Sequence, residues 1–200
     1  MSRSVVFVLS ILLTASTVLA QGASKPAAPT EYLATTANLA PGSGVPLSIR
    51  IFKWSSDEDR KQVLSVLATA STENKGLPDL IKPLAGSPSI GQIWTDGPIG
   101  YSLKYAHRLN LPDGTQRIVV ITDRPLGAVD PGGLWKAEGQ SGTVAPFTVV
   151  ELHVSKDGKG EGKMSLGAPF ATNASDNTVG LTNYAAAPVT LRNVHLKTVS

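Results

Sequence analysis

The segment YSLKYAHRLNLPDGTQRIVVIT, residues 101–122, carries the strongest β-hairpin signal in the chain. Large side chains occupy every second position of its first half, namely Tyr101, Leu103, Tyr105, His107 and Leu109. This two-residue period is typical of a strand with one face turned inward. Asp113 and Gly114 favour a tight turn, and the apolar segment 117–122 follows them. The segment therefore predicts two antiparallel strands joined by a turn.

Strand signals continue on both sides of this hairpin. A second hairpin is predicted over 147–166, because residues 147–154 alternate and the pair Asp157 and Gly158 supplies a turn. The other predicted strands are 32–37, 47–54, 90–94, 178–184 and 189–197. The 19 glycines and 14 prolines agree with a chain of short strands and many turns.

Two helices are predicted between the first strands. Ser55 or Ser56 can cap a helix that runs from Asp57 to Ala70 and has acidic residues in its first turn. A shorter helix over 77–84 follows, and the proline near its end is expected to kink or break it. The buried stripe of the first helix is predicted to consist of Val63, Leu64, Val66, Leu67 and Ala70.

These elements predict an α+β fold, in which a short helical pair near the N-terminal side covers a mainly antiparallel β-sheet. The sheet is either open or barrel-like, with the helical pair plugging one end of the barrel. The sequence does not separate these two forms. Residues 31–200 are expected to form one β-rich domain, since no repeat and no second domain is visible.

The first residues have the pattern of a secretory signal peptide. Arg3 precedes an apolar run from Val5 to Leu13, and small side chains lead to Ala20. We therefore expect a signal peptide over 1–20, a flexible leader over 21–30 and no integral membrane span after cleavage. The absence of cysteine favours a bacterial periplasmic or secreted protein, because exported eukaryotic chains more often carry disulfides.

Charge and motifs narrow the expected partners and chemistry. The formal net charge is +3, and it falls to +2 when Arg3 leaves with the signal peptide. Lysine and arginine are spread along the chain without a dense basic block, so nucleic acid is not an expected partner. No nucleophile elbow, phosphate-binding glycine loop, dinucleotide fingerprint or zincin helix is present. The sequence therefore predicts no cofactor and disfavours the common motif-bearing enzymes.

The long connection from Asp123 to Thr143 is the first candidate site. It is rich in glycine and proline and holds Trp135 near its middle. Such loops often bind ligands, and an indole in one can anchor a partner. Trp135, Asp123 and Arg124 are therefore candidate ligand-binding residues. The alternatives are that Trp135 folds back onto the sheet, that Asp123 caps a turn and that Arg124 pairs with an acid.

A second candidate site combines an acid with histidines. Glu151 and His153 point to the same face of one predicted strand, and an acid beside an imidazole can orient a base or complete a metal site. His107 and His195 lie on other strands and can join them. The cluster defines an alternative catalytic or metal site, although scattered histidines are more often ordinary surface or core residues.

Three segments resemble uncharacterised exported proteins of soil bacteria: RIVVITDRP (117–125), FTVVELH (147–153) and DGKGEGKM (157–164). The resemblance implies export but no activity, ligand or catalytic residue. The leading functional expectation is non-enzymatic binding of a small or apolar ligand, or of an envelope component, beside Trp135. The alternatives are a hydrolase or metal-dependent enzyme using the Glu/His cluster, and a structural envelope protein.

Overall fold

A computed structural model describes residues 28–39, 42–73, 86–95, 97, 99–130, 132–140, 145–166, 170–173, 178–181, 183–185 and 189–197. The predicted signal peptide, most of the predicted leader and the second predicted helix lie outside the described residues. Within the described ranges, no helix has the length and apolar composition needed to cross a membrane.

The described part of the chain contains two strands, then one helix, and then eight further strands. In chain order they are β1 (Thr30–Thr36), β2 (Pro46–Ile51), α1 (Asp57–Glu73), β3 (Gly91–Trp94), β4 (Tyr101–Asn110), β5 (Gln116–Thr122), β6 (Val149–Val154), β7 (Lys159–Ser165), β8 (Phe170–Asn173), β9 (Thr178–Leu181) and β10 (Val189–Leu196).

Eight of the strands close into a barrel in the order β1-β10-β7-β6-β5-β4-β3-β2. From β1 to β7, each strand pairs antiparallel with the next strand along the chain. β10 pairs with both β7 and β1, and it closes the barrel by setting Leu196 opposite Tyr32. The predicted mainly antiparallel sheet is confirmed, and of the two predicted forms the structure has the closed barrel. β8 and β9 form a separate two-stranded sheet.

The apolar segment of β5 explains how the barrel is packed on both sides. Ile118 and Val120 belong to the cluster of side chains that fills the barrel interior. Val119 and Ile121 alternate with them and belong to a second cluster on the outer face. Since both faces of this strand are buried, its sequence is a continuous apolar run rather than an alternating one.

The outer cluster lies beneath α1 and the β8–β9 sheet. Val63 and Leu64 of α1 and Val179 and Leu181 of β9 belong to it, together with outward side chains of β4, β5 and β6. α1 therefore covers the outer face of the barrel and does not plug an end. The predicted helical pair is not confirmed, because the second helix falls outside the described residues.

A β-bulge in β4 changes the faces predicted from its alternation. The pairing with β5 shifts register between Leu103 and Tyr105. As a result, Leu103 and Ala106 lie in the interior cluster, whereas Tyr105 lies in the outer cluster. An extra residue in one strand reverses the facing of every later side chain. The predicted single inward face of this strand is therefore wrong beyond Leu103.

The two ends of the barrel differ. The connection after β5 crosses one end, which we call the closed end, and places Leu126, Trp135 and Ala137 in the interior cluster. A β-bridge between Leu39 and Ala137 attaches it to the chain after β1. The opposite end, where β1 begins and β10 ends, we call the open end. The connection that holds Trp135, the first candidate site, therefore blocks access to the barrel interior at the closed end.

The start of α1 is set by a capping box. The Ser56 backbone N–H and hydroxyl both donate to Asp59, at 3.0 and 2.7 Å, and the Asp59 backbone N–H donates to the Ser56 hydroxyl at 3.1 Å. These hydrogen bonds from Ser56 lower the pKa of the Asp59 carboxyl. The arrangement satisfies backbone donors that the first turn of a helix otherwise leaves without partners.

Replacement of Ser56 by alanine is expected to lower the free energy of unfolding by about 1 kcal/mol, because the cap on α1 is lost. Chemical denaturation followed by circular dichroism measures the change. Ser56→Thr keeps the hydroxyl both as donor to Asp59 and as N-cap acceptor, and it is expected to recover most of the loss. Equal losses in both variants would contradict a capping role for Ser56.

Candidate functional site

Trp135 is a core residue in this structure. Its side chain is 4% exposed and belongs to the interior cluster. Its indole N–H donates to Asp130 Oδ2 at 2.9 Å, which satisfies the one polar atom that burial would leave without a partner. The ring thus packs on its own domain, which is the alternative to ligand binding that the sequence left open for Trp135. A ligand would reach the indole only if the connection lifted from the closed end.

The glycines of this connection serve packing and turn geometry. Gly127 has a φ of 83°, which a residue with a side chain rarely adopts. A Cβ atom here would overlap the Gly133 carbonyl and come into close contact with the Trp135 ring. The Gly127 backbone N–H also donates to the Tyr101 hydroxyl at 2.9 Å. Glycine at this position therefore lets the chain turn tightly over the closed end.

Asp123 and Arg124 pair with each other at the end of β5. The Arg124 Nη2 lies 3.2 Å from Asp123 Oδ2, and the arginine side chain is 44% exposed. Asp123 raises the pKa of Arg124 through this hydrogen bond. An exposed ion pair of this kind contributes little to stability. The two side chains stay candidate ligand-binding residues, although the structure shows them neutralising one another.

Glu151 is the most deeply buried carboxylate of the described residues. Its residue exposure is 2%, and its oxygens accept four hydrogen bonds. Arg117 donates from Nε at 2.9 Å and from Nη2 at 3.4 Å, His153 Nε2 lies at 2.9 Å, and the Leu181 backbone N–H donates at 2.9 Å. The carboxylate therefore joins β5, β6 and β9, because its partners come from all three strands.

β9 packs closely over the Glu151 side chain. A Cβ atom on Gly180 would overlap the Arg117 guanidinium and approach the Glu151 carboxylate. The His153 ring stacks on Tyr184, with the ring centroids 4.0 Å apart and the planes 6° from parallel. Burial raises the pKa of the Tyr184 hydroxyl, so the phenol stays neutral. Glycine at 180 is thus required for β9 to lie directly over the ion pair.

The remaining two histidines do not join this cluster. His107 projects from β4 beside Arg60 of α1, with Nε2 and Arg60 Nη1 3.0 Å apart. Burial and the charge of Arg60 lower the pKa of His107 to about 4, so this imidazole is neutral at pH 7. His195 is exposed on β10, and its Nδ1 lies 2.8 Å from the Asn193 carbonyl. Of the predicted cluster, only Glu151 and His153 contact each other.

The geometry around Glu151 is that of an internal ion pair. Within the described residues, no group of three His, Cys, Asp or Glu side chains is placed to hold a metal ion. The space between His107, Arg117 and Val179 has a water-accessible volume of about 0 Å³. The gap between β4, β5 and β9 is therefore closed, and the hydrogen bonds of Glu151 with Arg117 and Leu181 hold β9 against the barrel.

The open end, by contrast, carries a cavity of about 490 Å³. The sequence pattern did not predict this cavity, because Arg108 on its wall is turned to the inward face only by the bulge in β4. The Arg108 Cζ lies 5.0 Å from the ring centroid of Trp54, so the indole supports the guanidinium. The residues that argue most for binding here are Tyr32, Arg108, Gln116, Val154, Lys156 and Lys197.

Two other cavities lie outside the barrel. One, of about 290 Å³, is formed by the start of α1 and by residues 87–90. The other, of about 540 Å³, lies against the outer face of β1, β2 and β10. Trp94 lines this second cavity. Because side chains alternate along a strand and Ile93 faces inward, the sequence pattern indicates an outward position for Trp94.

Comparisons of the chain with protein-family models, with curated proteins and with solved structures found no match.

Proposed function

We propose that this chain is an exported, non-enzymatic protein that binds a small anionic molecule at the open end of the barrel. The observation that carries the proposal is the cavity of about 490 Å³ whose lining includes the exposed cations Arg108 and Lys156. Neither of these side chains forms an ion pair with another described residue. Cations that lack an internal counterion attract an anion from solution.

The charge balance of the cavity favours an anion. Glu31 is the acid on its wall, and it is already paired with Arg50 at 2.7 Å and Lys197 at 3.0 Å. Burial raises the pKa of Glu31, but hydrogen bonds from Arg50, Lys197 and Ser48 outweigh it, so the pKa is lowered and the carboxylate stays ionised. The residues that line the cavity therefore carry an excess of positive charge, and the Asp113 carboxylate outside the lining interacts with Lys156.

The walls of the cavity add an apolar component. Tyr32 and Val154 are each 2% exposed at its base, and Leu196 is 43% exposed at its rim. The guanidinium of Arg108 is planar and suits a carboxylate or phosphate group. We therefore assign the ligand as a small molecule with one anionic group and a short apolar part.

Binding is better supported than the two alternatives. A hydrolase or metal enzyme built on Glu151 and His153 is less well supported, because Arg117 and the Leu181 backbone N–H already donate to the carboxylate, and the described residues place no third metal ligand beside it. A structural envelope protein that assembles by strand pairing needs a free sheet edge, and the barrel sheet has none because it is closed.

Octanoate and octanamide test the proposal, because they share a chain and differ in charge. The wild-type protein is expected to bind octanoate saturably in a calorimetric titration and octanamide at least about tenfold more weakly. The double variant Arg108→Gln with Lys156→Gln is expected to lose octanoate affinity by at least about tenfold. Lys61→Gln, which removes an exposed charge on α1, is the matched control and is expected to change nothing.

Three outcomes would contradict this function. They are the absence of octanoate binding at millimolar concentration, equal binding of octanamide, and undiminished binding by the double variant. Circular dichroism checks that the variants keep the wild-type fold, so that a loss of binding is not a loss of structure.

A further inference from the structure

The outer face of β10, β1, β2 and β3 forms a groove of about 540 Å³. Most of its lining side chains point outward, and it shares Glu31 and Lys197 with the lining of the open-end cavity. The polar and aromatic side chains that argue for a site are Thr35, Ser48, Arg50, Trp94, Asn193 and His195. We call this surface the outer groove.

A second bulge shapes the outer groove. The pairing of β10 with β7 shifts register between Leu191 and Val194, and its pairing with β1 shifts opposite Leu33 and Thr35. Asn193, within the bulge, has a φ of 54° and is the one described residue other than glycine with a positive φ. Bulges and positive φ angles away from glycine often accompany functional surfaces, where they redirect a side chain.

The bulge fixes two polar groups against the groove. The Asn193 side-chain amide donates to the Thr35 hydroxyl at 3.2 Å, and the Asn193 carbonyl lies 2.8 Å from His195 Nδ1. Asn193 and His195 are both exposed. The other amide and imidazole atoms are therefore positioned to meet a ligand without a large entropy cost.

On the opposite side of the groove, a partly exposed ion pair holds an indole in place. Glu31 accepts from Arg50 Nε at 2.9 Å and Nη2 at 2.7 Å, and from the Ser48 hydroxyl at 2.9 Å. The Arg50 Cζ then lies 5.2 Å from the Trp94 ring centroid. Because Arg50 is fixed by Glu31, Trp94 forms a supported aromatic surface, and its side chain is only partly buried.

We infer that the outer groove binds a saccharide. Its two cations, Arg50 and Lys197, both pair with Glu31, which leaves one excess positive charge on the lining. Beside this ion pair the groove offers a ligand a row of neutral donors and acceptors and an aromatic ring. That combination matches a sugar, which presents hydroxyl groups at its edge and C–H groups on its face. An extended peptide would need an unpaired strand edge, and the closed barrel sheet has none.

Titrations with the tetramers of glucose and N-acetylglucosamine, followed by tryptophan fluorescence and calorimetry, test the inference. Saturable binding of at least one tetramer is expected. Trp94→Ala is expected to weaken it at least about tenfold. Asn193→Gly keeps a residue that tolerates the positive φ while removing the amide, and a severalfold loss is expected. Gln92→Ala is the control, since Gln92 is exposed on β3 two positions from Trp94.

The outcomes separate this inference from the proposed function. Octanoate is expected not to compete with the tetramer, and the Arg108→Gln, Lys156→Gln double variant is expected to bind the tetramer normally. No saturable binding of either tetramer at millimolar concentration would overturn the inference. Full affinity in Trp94→Ala would overturn it as well, because binding would then lie elsewhere on the chain.

Discussion

Replacement of Trp135 by alanine is expected to lower the free energy of unfolding by about 3–5 kcal/mol. The side chain is 4% exposed and closes one end of the barrel core. Its removal deletes a large apolar surface, leaves a cavity and takes the indole hydrogen bond from Asp130. Denaturant unfolding, monitored by circular dichroism, measures the loss.

Trp94→Ala is the matched comparison, because it removes the same side chain from a partly buried position on the outer groove. Its loss of stability is expected to be well under half that of Trp135→Ala. If Trp135→Ala does not fold, Trp135→Phe supplies a milder test with an expected loss of about 1–3 kcal/mol. Similar small losses in Trp135→Ala and Trp94→Ala would place the Trp135 indole outside the core and revive its candidacy as a ligand anchor.

Replacement of Glu151 by alanine is the second large expected effect, at about 3–5 kcal/mol of unfolding free energy. The change leaves the Arg117 guanidinium, which is 26% exposed, without its counterion, and leaves the Leu181 backbone N–H without its acceptor. A partner removed from a buried ion pair costs more than the pair contributes, because the remaining charge is poorly solvated.

Two further variants make this prediction specific. Glu161→Ala removes an exposed acid from β7 directly opposite His153, and a change within about 0.5 kcal/mol is expected. The double variant Glu151→Leu with Arg117→Met removes both charges, and it is expected to be more stable than Glu151→Ala alone. A loss in Glu151→Ala no larger than that in Glu161→Ala would show that the ion pair does not hold β9 on the barrel.

The strands β4 and β5 show both what the sequence pattern predicted and what it did not predict. The alternation and the Asp113–Gly114 turn predicted this hairpin, and its strands end within one residue of the predicted ends. The bulge after Leu103 was not predicted, because an inserted residue does not disturb a short alternating pattern visibly. The bulge nevertheless decides which side chains face the interior, and so it turns Arg108 to the inward face of β4.

The candidate sites show the same division. Alternation predicted that Glu151 and His153 share a face, and the structure brings them to 2.9 Å. It did not predict Arg117 as the main partner of Glu151, because that contact depends on the register of β5 against β6. Trp135 stood out in sequence because it lies in a glycine-rich connection, yet those glycines let the connection pack tightly over the core.

The sequence by itself determined the strand periods, the main turns and the start of α1. These features depend on the conformational preferences of neighbouring residues, which any short window of sequence carries. Only the tertiary structure decided that β1 and β10 close the barrel, that Trp135 and Glu151 are buried, and that cavities form at the open end and the outer groove. Each of these depends on contacts between residues far apart in the chain, and their pairing follows from register and packing rather than from local pattern.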